Sequence, residues 1–240
     1  CPSEPAPADR SCTINSGGKV MARILFYGDP HGNWKPLLTA AKQERPDGVV
    51  ILGDCDLDRP LSAEIAPLLE AGIPVHWIPG NHDSDRSTWF QNLFQGRVET
   101  NLSGRVSEIA SVRVAGLGGI FQEAIWHPKL ADVFHFHNPQ DYLERLKARG
   151  LMDGRERLAH TAIFPAVYDR LADGTAEILV THEAPSCHRH GFEELDLLAE
   201  ALGVRLIVHG HHHESYEAVL PNGIAVVGLG RAEPKMITLP

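Results

Sequence analysis

Seven side chains of types that bind metal ions follow five short apolar runs in this 240-residue sequence. Each run has the length and composition of a buried strand. Open α/β sheets place their sites at the carboxyl ends of strands, so we expect the seven side chains to converge. They are Asp29, His31, Asp54, Asn81, His182, His211 and His213.

This mixture of imidazole, carboxylate and amide ligands favours Mn, Fe, Zn or Ni over Mg or Ca, and we expect Mn²⁺. Seven groups are too many for one ion of ordinary coordination, so two ions that share one carboxylate are predicted. Two ions about 3.5–4 Å apart clamp a phosphoryl group and lower the pKa of a water molecule. The predicted chemistry is therefore hydrolysis of a phosphate ester.

Taken one at a time, these residues have structural explanations. Residues 28–32 contain Gly, Asp and Pro, which are common in plain turns, and Asn81 also tolerates turn geometry. A single histidine such as His182 more often makes a hydrogen bond than binds a metal. At the last strand end, we take His211 and His213 as the ligands and His212 as a spacer between them. The alternative register takes His209 and His211 as the ligands.

The elements that must position these residues alternate between strand and helix, which is the signature of an α/β layer fold. Strands are predicted at 23–27, 49–52, 74–78, 177–181 and 205–208, with a hairpin at 105–117 and two or three strands in 216–239. Apolar residues at helical spacing predict helices at 34–41, 61–69 and 192–202. We expect one domain at 21–240, with a mostly helical insertion at about 118–176.

The composition restricts the partners and the compartment. A formal net charge of −9 argues against a protein that wraps long nucleic acids, and no apolar run is long enough for a membrane span. Four cysteines without C-x-x-C spacing predict a reducing, cytoplasmic location. Residues 1–20 are rich in Pro, Ser and Gly and predict a disordered tail, for which a lipidated Cys1 is the alternative interpretation.

Five blocks carry a resemblance to a known family: Gly28-Asp29-Pro30-His31-Gly32, Gly53-Asp54, Gly80-Asn81-His82-Asp83, His182 and Gly210-His211-His212-His213. Together they resemble the signature motifs of the calcineurin-like metallophosphoesterases, over roughly residues 22–90 and 177–230. The resemblance implies an α/β fold, a four-layer α-β-β-α sandwich of two mixed sheets flanked by helices.

The resemblance also implies a role for each residue. One ion would be held by Asp29, His31, Asp54 and His213, and the other by Asp54, Asn81, His182 and His211. Asp54 would thus bridge the two ions, and a hydroxide between them would attack the phosphorus in line. His82 matches the histidine that is not a ligand but stabilises the transition state or protonates the leaving oxygen.

The stretch at residues 53–60 departs from the motif of related enzymes. Phosphoprotein phosphatases and dinucleoside polyphosphate hydrolases of the superfamily carry G-D-x-x-D-R-G, whereas here the Asp58-Arg59 pair is displaced by one residue and followed by proline. Either Asp56 or Asp58 supports His82, or neither does. Arg59 is a candidate phosphate contact, and an exposed residue that leads into the next helix is the alternative.

We predict a metal-dependent phosphoesterase that acts on a small phosphate mono- or diester. The loop 183–191 supplies three further candidate substrate contacts, His188, Arg189 and His190. The alternatives are a protein phosphatase or dinucleoside polyphosphate hydrolase and, less favoured because all seven ligands are present, a non-catalytic scaffold. The expected partner is a small phosphorylated molecule, and the sequence predicts no oligomeric state.

Overall fold

Two mixed β-sheets form the centre of the computed structural model, which describes residues 21–130 and 135–239. The predicted tail at 1–20 and the lipidated Cys1 lie outside the described residues. The strands are β1 (Ala22–Gly28), β2 (Gly48–Ile51), β3 (Val75–Trp77), β4 (Arg105–Ile109), β5 (Val112–Leu117), β6 (Ile178–Thr181), β7 (Leu206–His209), β8 (Tyr216–Val219), β9 (Ala225–Gly228) and β10 (Glu233–Leu239).

The first sheet has the strand order β10-β1-β2-β3 and the second the order β4-β5-β6-β7-β9-β8. In the first sheet β1, β2 and β3 are parallel, and β10 is an antiparallel edge strand. In the second, β5, β6, β7 and β9 are parallel, with antiparallel β4 and β8 at the two edges. The strands that precede the predicted ligands therefore end at a common edge in each sheet.

Side chains of the central strands alternate between two layers of core. Ile24 and Phe26 of β1 pack between the two sheets, whereas Leu25 and Tyr27 pack on the outer side with the helices. Both faces of each strand are apolar because both are covered, as expected of parallel strands. The same alternation places Val180 between the sheets and Leu179 against the outer helices of the second sheet.

Helices cover the outer face of each sheet. They are α1 (Lys35–Glu44), α2 (Leu61–Glu64), α3 (Ala66–Glu70), α4 (Ser87–Phe94), α5 (Pro139–Ala148), α6 (Leu158–Thr161), α7 (Pro165–Ala172) and α8 (Glu193–Leu202). Helix α1 buries Leu37 on the first sheet, and α8 buries Leu195 and Leu198 on the second. The predicted fold, two mixed sheets flanked by helices, is confirmed.

The single helix predicted for 61–69 was wrong, because the structure has two short helices that meet at Ile65. Pro67 has no N–H to donate to the carbonyl four residues earlier, so a continuous helix loses a hydrogen bond there. The helix α4 was not predicted, although Phe90, Leu93 and Phe94 follow helical spacing.

Between residues 118 and 176 the described residues form α5, α6 and α7, and their strand-like pairing is limited to isolated bridges such as Ile120 with Ala162. These helices enclose a small apolar core of their own around Tyr142, Leu146 and Phe164. The boundaries of the insertion remain a prediction. In the described part of the chain, no helix combines the length and apolar character needed to cross a bilayer.

Candidate metal centre

Two glycines bring the loops that follow β2 and β3 into direct contact. A Cβ atom on Gly53, whose φ is +97°, would lie 2.4 Å from the backbone nitrogen of Gly80. A Cβ atom on Gly80 would lie 2.2 Å from Asp54 Oδ1. Both distances are far below van der Waals contact, so this approach requires glycine at both positions.

Asp83 holds the same two loops together with its carboxylate. Its Oδ2 accepts hydrogen bonds from the backbone N–H of Asp54 (3.1 Å) and Gly80 (2.8 Å), and its Oδ1 accepts one from Cys55 (2.8 Å). Burial and the charge of Asp54 raise the pKa of Asp83 to about 7, and the N–H groups of Gly80 and Cys55 counteract that shift. The result is a rigid frame under Asp54 and the residues that follow β3.

The frame lies beside two groups of candidate ligands that share Asp54. Within each group, one ligand atom per residue lies within 4.8 Å of the others. The first group is His31, Asp54 and His213, and the second is Asp54, His182 and His211. Asn81 adjoins the second group, with its Oδ1 3.1 Å from His182 Nε2. Asp29, which was predicted for the other ion, has its Oδ1 3.7 Å from His182 Nδ1, the nitrogen that faces away from Asp54.

Backbone and carboxylate contacts fix the orientation of two of these histidines. His182 Nδ1 donates to the Leu52 carbonyl at 2.7 Å, so Nε2 points toward Asp54 Oδ2 at 3.4 Å. Asp56 Oδ2 lies 2.9 Å from His31 Nδ1, so His31 Nε2 faces His213 Nε2 at 3.0 Å. Metal-binding histidines are held in this way, with the nitrogen that does not bind the ion donating to a carbonyl or carboxylate.

The buried charges of the cluster fit a cation. Burial raises the pKa of Asp29 to about 7, and its Oδ1 is buried without a hydrogen-bond partner. Burial acts against the charged forms of Asp54 and His182, but their mutual attraction outweighs it, lowering the pKa of Asp54 and raising that of His182. A divalent ion can replace the proton of His182 as the positive charge between these carboxylates.

Most of the candidate ligands adopt backbone conformations that are unusual outside glycine. Six of the ten described non-glycine residues with positive φ lie at the site, namely Asp29, His31, Asp54, Asp56, His211 and His213, with φ between 36° and 71°. Single left-handed residues of this kind concentrate at functional sites, because the surrounding structure must hold them there. The sharp turns let side chains from successive loop positions point into one small volume.

The residue that supports His82 is neither Asp56 nor Asp58. His82 Nδ1 lies 2.7 Å from Asp85 Oδ2, one helical turn further along the chain. Burial lowers the pKa of His82, but the hydrogen bond to Asp85 and the negative charges of Asp54, Asp85 and Asp56 together outweigh it, and the pKa is raised. Asp58 instead accepts a hydrogen bond from Trp89 Nε1. No spacing in the sequence pointed to Asp85, because its role depends on the 3-10 turn at His82–Ser84.

Of the four candidate substrate contacts, Arg59 lies on the surface beside α2, and the other three lie in the loop after β6. Arg59 forms a bidentate ion pair with Glu64 of α2 on the exposed surface. Arg189 pairs with Glu214 at 2.8 Å. The ring of His188 stacks on His212 at 4.1 Å, and the His190 ring lies 5.7 Å from that of His212. The loop after β6 therefore lies against the loop after β7.

Two further residues lie in this region: Glu183, which was not predicted as a ligand, and His209, which was a ligand only in the alternative register. Glu183 is buried, and its Oε2 lies 4.0 Å from Nε2 of both His211 and His212. His209, the residue of the alternative register, is buried and lies 2.7 Å from the Tyr216 hydroxyl. Among the described residues it belongs to none of the ligand groups, so the geometry favours the register of His211 and His213.

Known proteins provide an independent comparison. The profile of the calcineurin-like phosphoesterases matches residues 22–215. An uncharacterised protein of Haemophilus influenzae is 35% identical over 209 residues, 85% of this chain and 90% of the relative. A solved structure from Thermus thermophilus is 17% identical with a TM-score of 0.57 and covers 91% of this chain and 98% of that one. A dimetal phosphatase from Danio rerio is 14% identical with a TM-score of 0.57 and covers 88% of each chain.

The matched profile and the clustered ligands define a metal-dependent phosphoesterase. The chain belongs to the calcineurin-like phosphoesterase family, as its five sequence blocks predicted.

Proposed function

We propose that the protein hydrolyses a small phosphate mono- or diester with two divalent metal ions, of which Mn²⁺ is the expected metal and Fe, Zn and Ni are alternatives. The observation that carries the proposal is the pair of ligand groups that share Asp54. A carboxylate common to two groups is what two adjacent ions require. When bound, the ions would supply a water of lowered pKa and neutralise charge on the phosphoryl oxygens.

Seven side chains of the two ligand groups and their neighbours would hold the two ions. Asp29, His31, Asp54 and His213 would hold one ion, and Asp54, Asn81, His182 and His211 the other. The backbone N–H of His82 donates to Asp54 Oδ1 at 2.9 Å, which fixes the position of the Asp54 carboxylate relative to His82.

His82 would act on the leaving group. Its side chain is 47% exposed, and Asp85 accepts a hydrogen bond from Nδ1, so Nε2 is directed to solvent or substrate. We propose that His82 protonates the leaving oxygen or stabilises its developing charge.

The part of the substrate beyond the phosphate would contact the loop that follows β6. Next to this loop is a cavity of about 410 Å³. Its lining contains the basic residues Lys129, His188 and Arg189 and also the acidic residues Glu193 and Glu194. This mixed lining supports a substrate with polar groups beyond the ester. Contact by His190 is part of the same proposal.

A protein phosphatase or dinucleoside polyphosphate hydrolase remains the alternative. Arg59 lends it no support, because its side chain is 64% exposed and makes two hydrogen bonds to the carboxylate of Glu64, whereas Arg189 makes one to Glu214. A cytoplasmic location is also part of the proposal, supported by the free thiols of Cys55 and Cys187 in the described residues.

The test is hydrolysis of p-nitrophenyl phosphate and of its bis-ester by the Mn²⁺-loaded protein. Asp54→Asn should abolish both activities, since the amide cannot serve two ions as an anionic bridge. Asp58→Asn is the matched control, because Asp58 is exposed in the same loop and contacts Trp89. Full activity of the Asp54 variant would refute the shared-ligand arrangement, and absence of turnover on all phosphate esters would favour the scaffold.

A further inference from the structure

A third group of candidate ligands lies beside the two that share Asp54. It consists of Glu183, His211 and His212, whose ligand atoms lie within 4.8 Å of one another. Glu183 Oε2 is 4.0 Å from Nε2 of each histidine. Two ligands of one zinc ion, at 2.0–2.2 Å each, are at most about 4.4 Å apart. Small side-chain rotations therefore suffice to bring all three onto one ion.

Burial and missing hydrogen bonds also indicate a ligand at this place. The side chain of Glu183 is only 5% exposed, and Nε2 of His212 is buried without a hydrogen-bond partner. The ring of His188 stacks on His212, and its own Nε2 lies 3.5 Å from Glu214 Oε2, so His188 does not compete for the same space. Buried polar atoms are normally satisfied, and leaving them unpaired costs free energy. A cation held by Glu183 and His212 would remove part of that cost.

We propose that Glu183, His211 and His212 form an accessory transition-metal site for a third ion, for which zinc is the best match. Two imidazoles and one carboxylate are the ligand set of open zinc sites, which keep a fourth position for water or a substrate oxygen. This goes beyond the proposed function, which needs only two ions. The side chain of His211 is 24% exposed and that of His212 16% exposed, so an ion can enter from solvent.

His211 would be shared between the accessory site and the neighbouring pair. Its Nε2 lies 4.0 Å from Glu183 Oε2, so in this proposal Nε2 would bind the accessory ion and Nδ1 the ion next to Asp54 and His182. If both nitrogens bound ions, the ring would have to give up its N–H proton to solvent as the second ion entered. The accessory ion is thus coupled to the pair through one side chain.

The experiment measures zinc per chain by mass spectrometry of the metal after loading and dialysis. The wild-type protein should hold three equivalents, and Glu183→Gln and His212→Asn should each hold two. His190→Asn is the matched control, since His190 belongs to the same cluster of rings but not to the ligand group, and it should hold three. Cobalt substitution gives a second readout, because its visible absorption should weaken in both ligand variants.

An Asp54→Asn background separates this proposal from the proposed function. In the Asp54→Asn variant one equivalent of zinc should persist, and adding His212→Asn should remove it. This result does not depend on whether the two ions that share Asp54 are catalytic. Equal zinc content in the wild type, Glu183→Gln and His212→Asn would overturn the accessory site. So would loss of an equivalent from His190→Asn but not from His212→Asn. His212 is partly exposed, so its variant decides the question if Glu183→Gln does not fold.

Discussion

Asp85 Oδ2 lies 2.7 Å from Nδ1 of His82, on the far side of a single 3-10 turn. The carboxylate accepts a hydrogen bond from Nδ1–H and favours the doubly protonated ring, whose Nε2–H is then the proton that can reach a leaving oxygen. The support for this histidine therefore comes from the residues that follow it and not from the loop that follows β2.

Asp85→Asn should lower kcat in a way that depends on the leaving group. Hydrolysis of phenyl phosphate, whose leaving oxygen needs a proton, should fall by about 100-fold, within the range of general acid catalysis. Hydrolysis of p-nitrophenyl phosphate should fall much less. Asp58→Asn serves as the control in steady-state assays of both esters, and equal losses on the two substrates would contradict the role of His82 in leaving-group protonation.

Asp56→Asn should weaken metal binding by about tenfold, because a neutral amide holds the His31 ring less firmly than a carboxylate does. Asparagine tolerates the left-handed backbone found at this position, where φ is 50°. Calorimetric titration with Mn²⁺ measures the change, again beside Asp58→Asn. An unchanged dissociation constant would show that the bond between Asp56 and His31 is not needed to orient the ligand.

Gly80→Ala should destabilise the protein and impair metal binding together. The new methyl group would lie 2.2 Å from Asp54 Oδ1, so the two loops must separate. A loss of about 1–3 kcal/mol in the free energy of unfolding is expected from overpacking of this kind. Gly96→Ala is the control, because no atom lies within 4 Å of its Cβ position. Urea unfolding and Mn²⁺ titration of both variants check the prediction, which fails if Gly80→Ala matches the wild type.

His76 should make stability depend on pH below neutrality. Burial within β3, and secondarily the charge of Arg97, lowers the pKa of His76, and its buried Nδ1 has no hydrogen-bond partner. A group whose folded pKa is lowered contributes stability above its unfolded pKa of about 6.5, and this stability is lost as the pH falls below that value. His76→Gln should therefore reduce the difference between urea midpoints measured at about pH 7.5 and about pH 5.5, on either side of that pKa. His135→Gln, at an exposed position, should leave that difference unchanged.

The strands and their convergence were predictable because they depend on local patterns. Apolar runs such as residues 49–52 indicate strands by composition, and the polar residue that follows each run marks its carboxyl end. The pairing of Asp56 with His31 was not predictable, because the two residues are 25 positions apart and meet only through left-handed turns. The break at Ile65 was predictable in principle, since Pro67 excludes a continuous helix.

The accessory group of Glu183, His211 and His212 was also not predictable from the sequence. His212 is interpreted as a spacer between two ligands when only the motif is considered. Its stacking on His188 and its proximity to Glu183 depend on how the loops after β6 and β7 pack together. Contacts between loops of different strands are set by the tertiary structure, and no spacing in the sequence specifies them.

The left-handed backbone at His211 and His213 has a consequence for the evolution of this chain. A non-glycine residue in that conformation costs roughly 1–2 kcal/mol, whereas glycine adopts it freely and asparagine does so more readily than histidine. Selection for catalysis and selection for stability therefore oppose each other at both positions. Descendants that no longer need the chemistry should lose these two histidines early, with glycine or asparagine in their place, and should be more thermostable than the active parent.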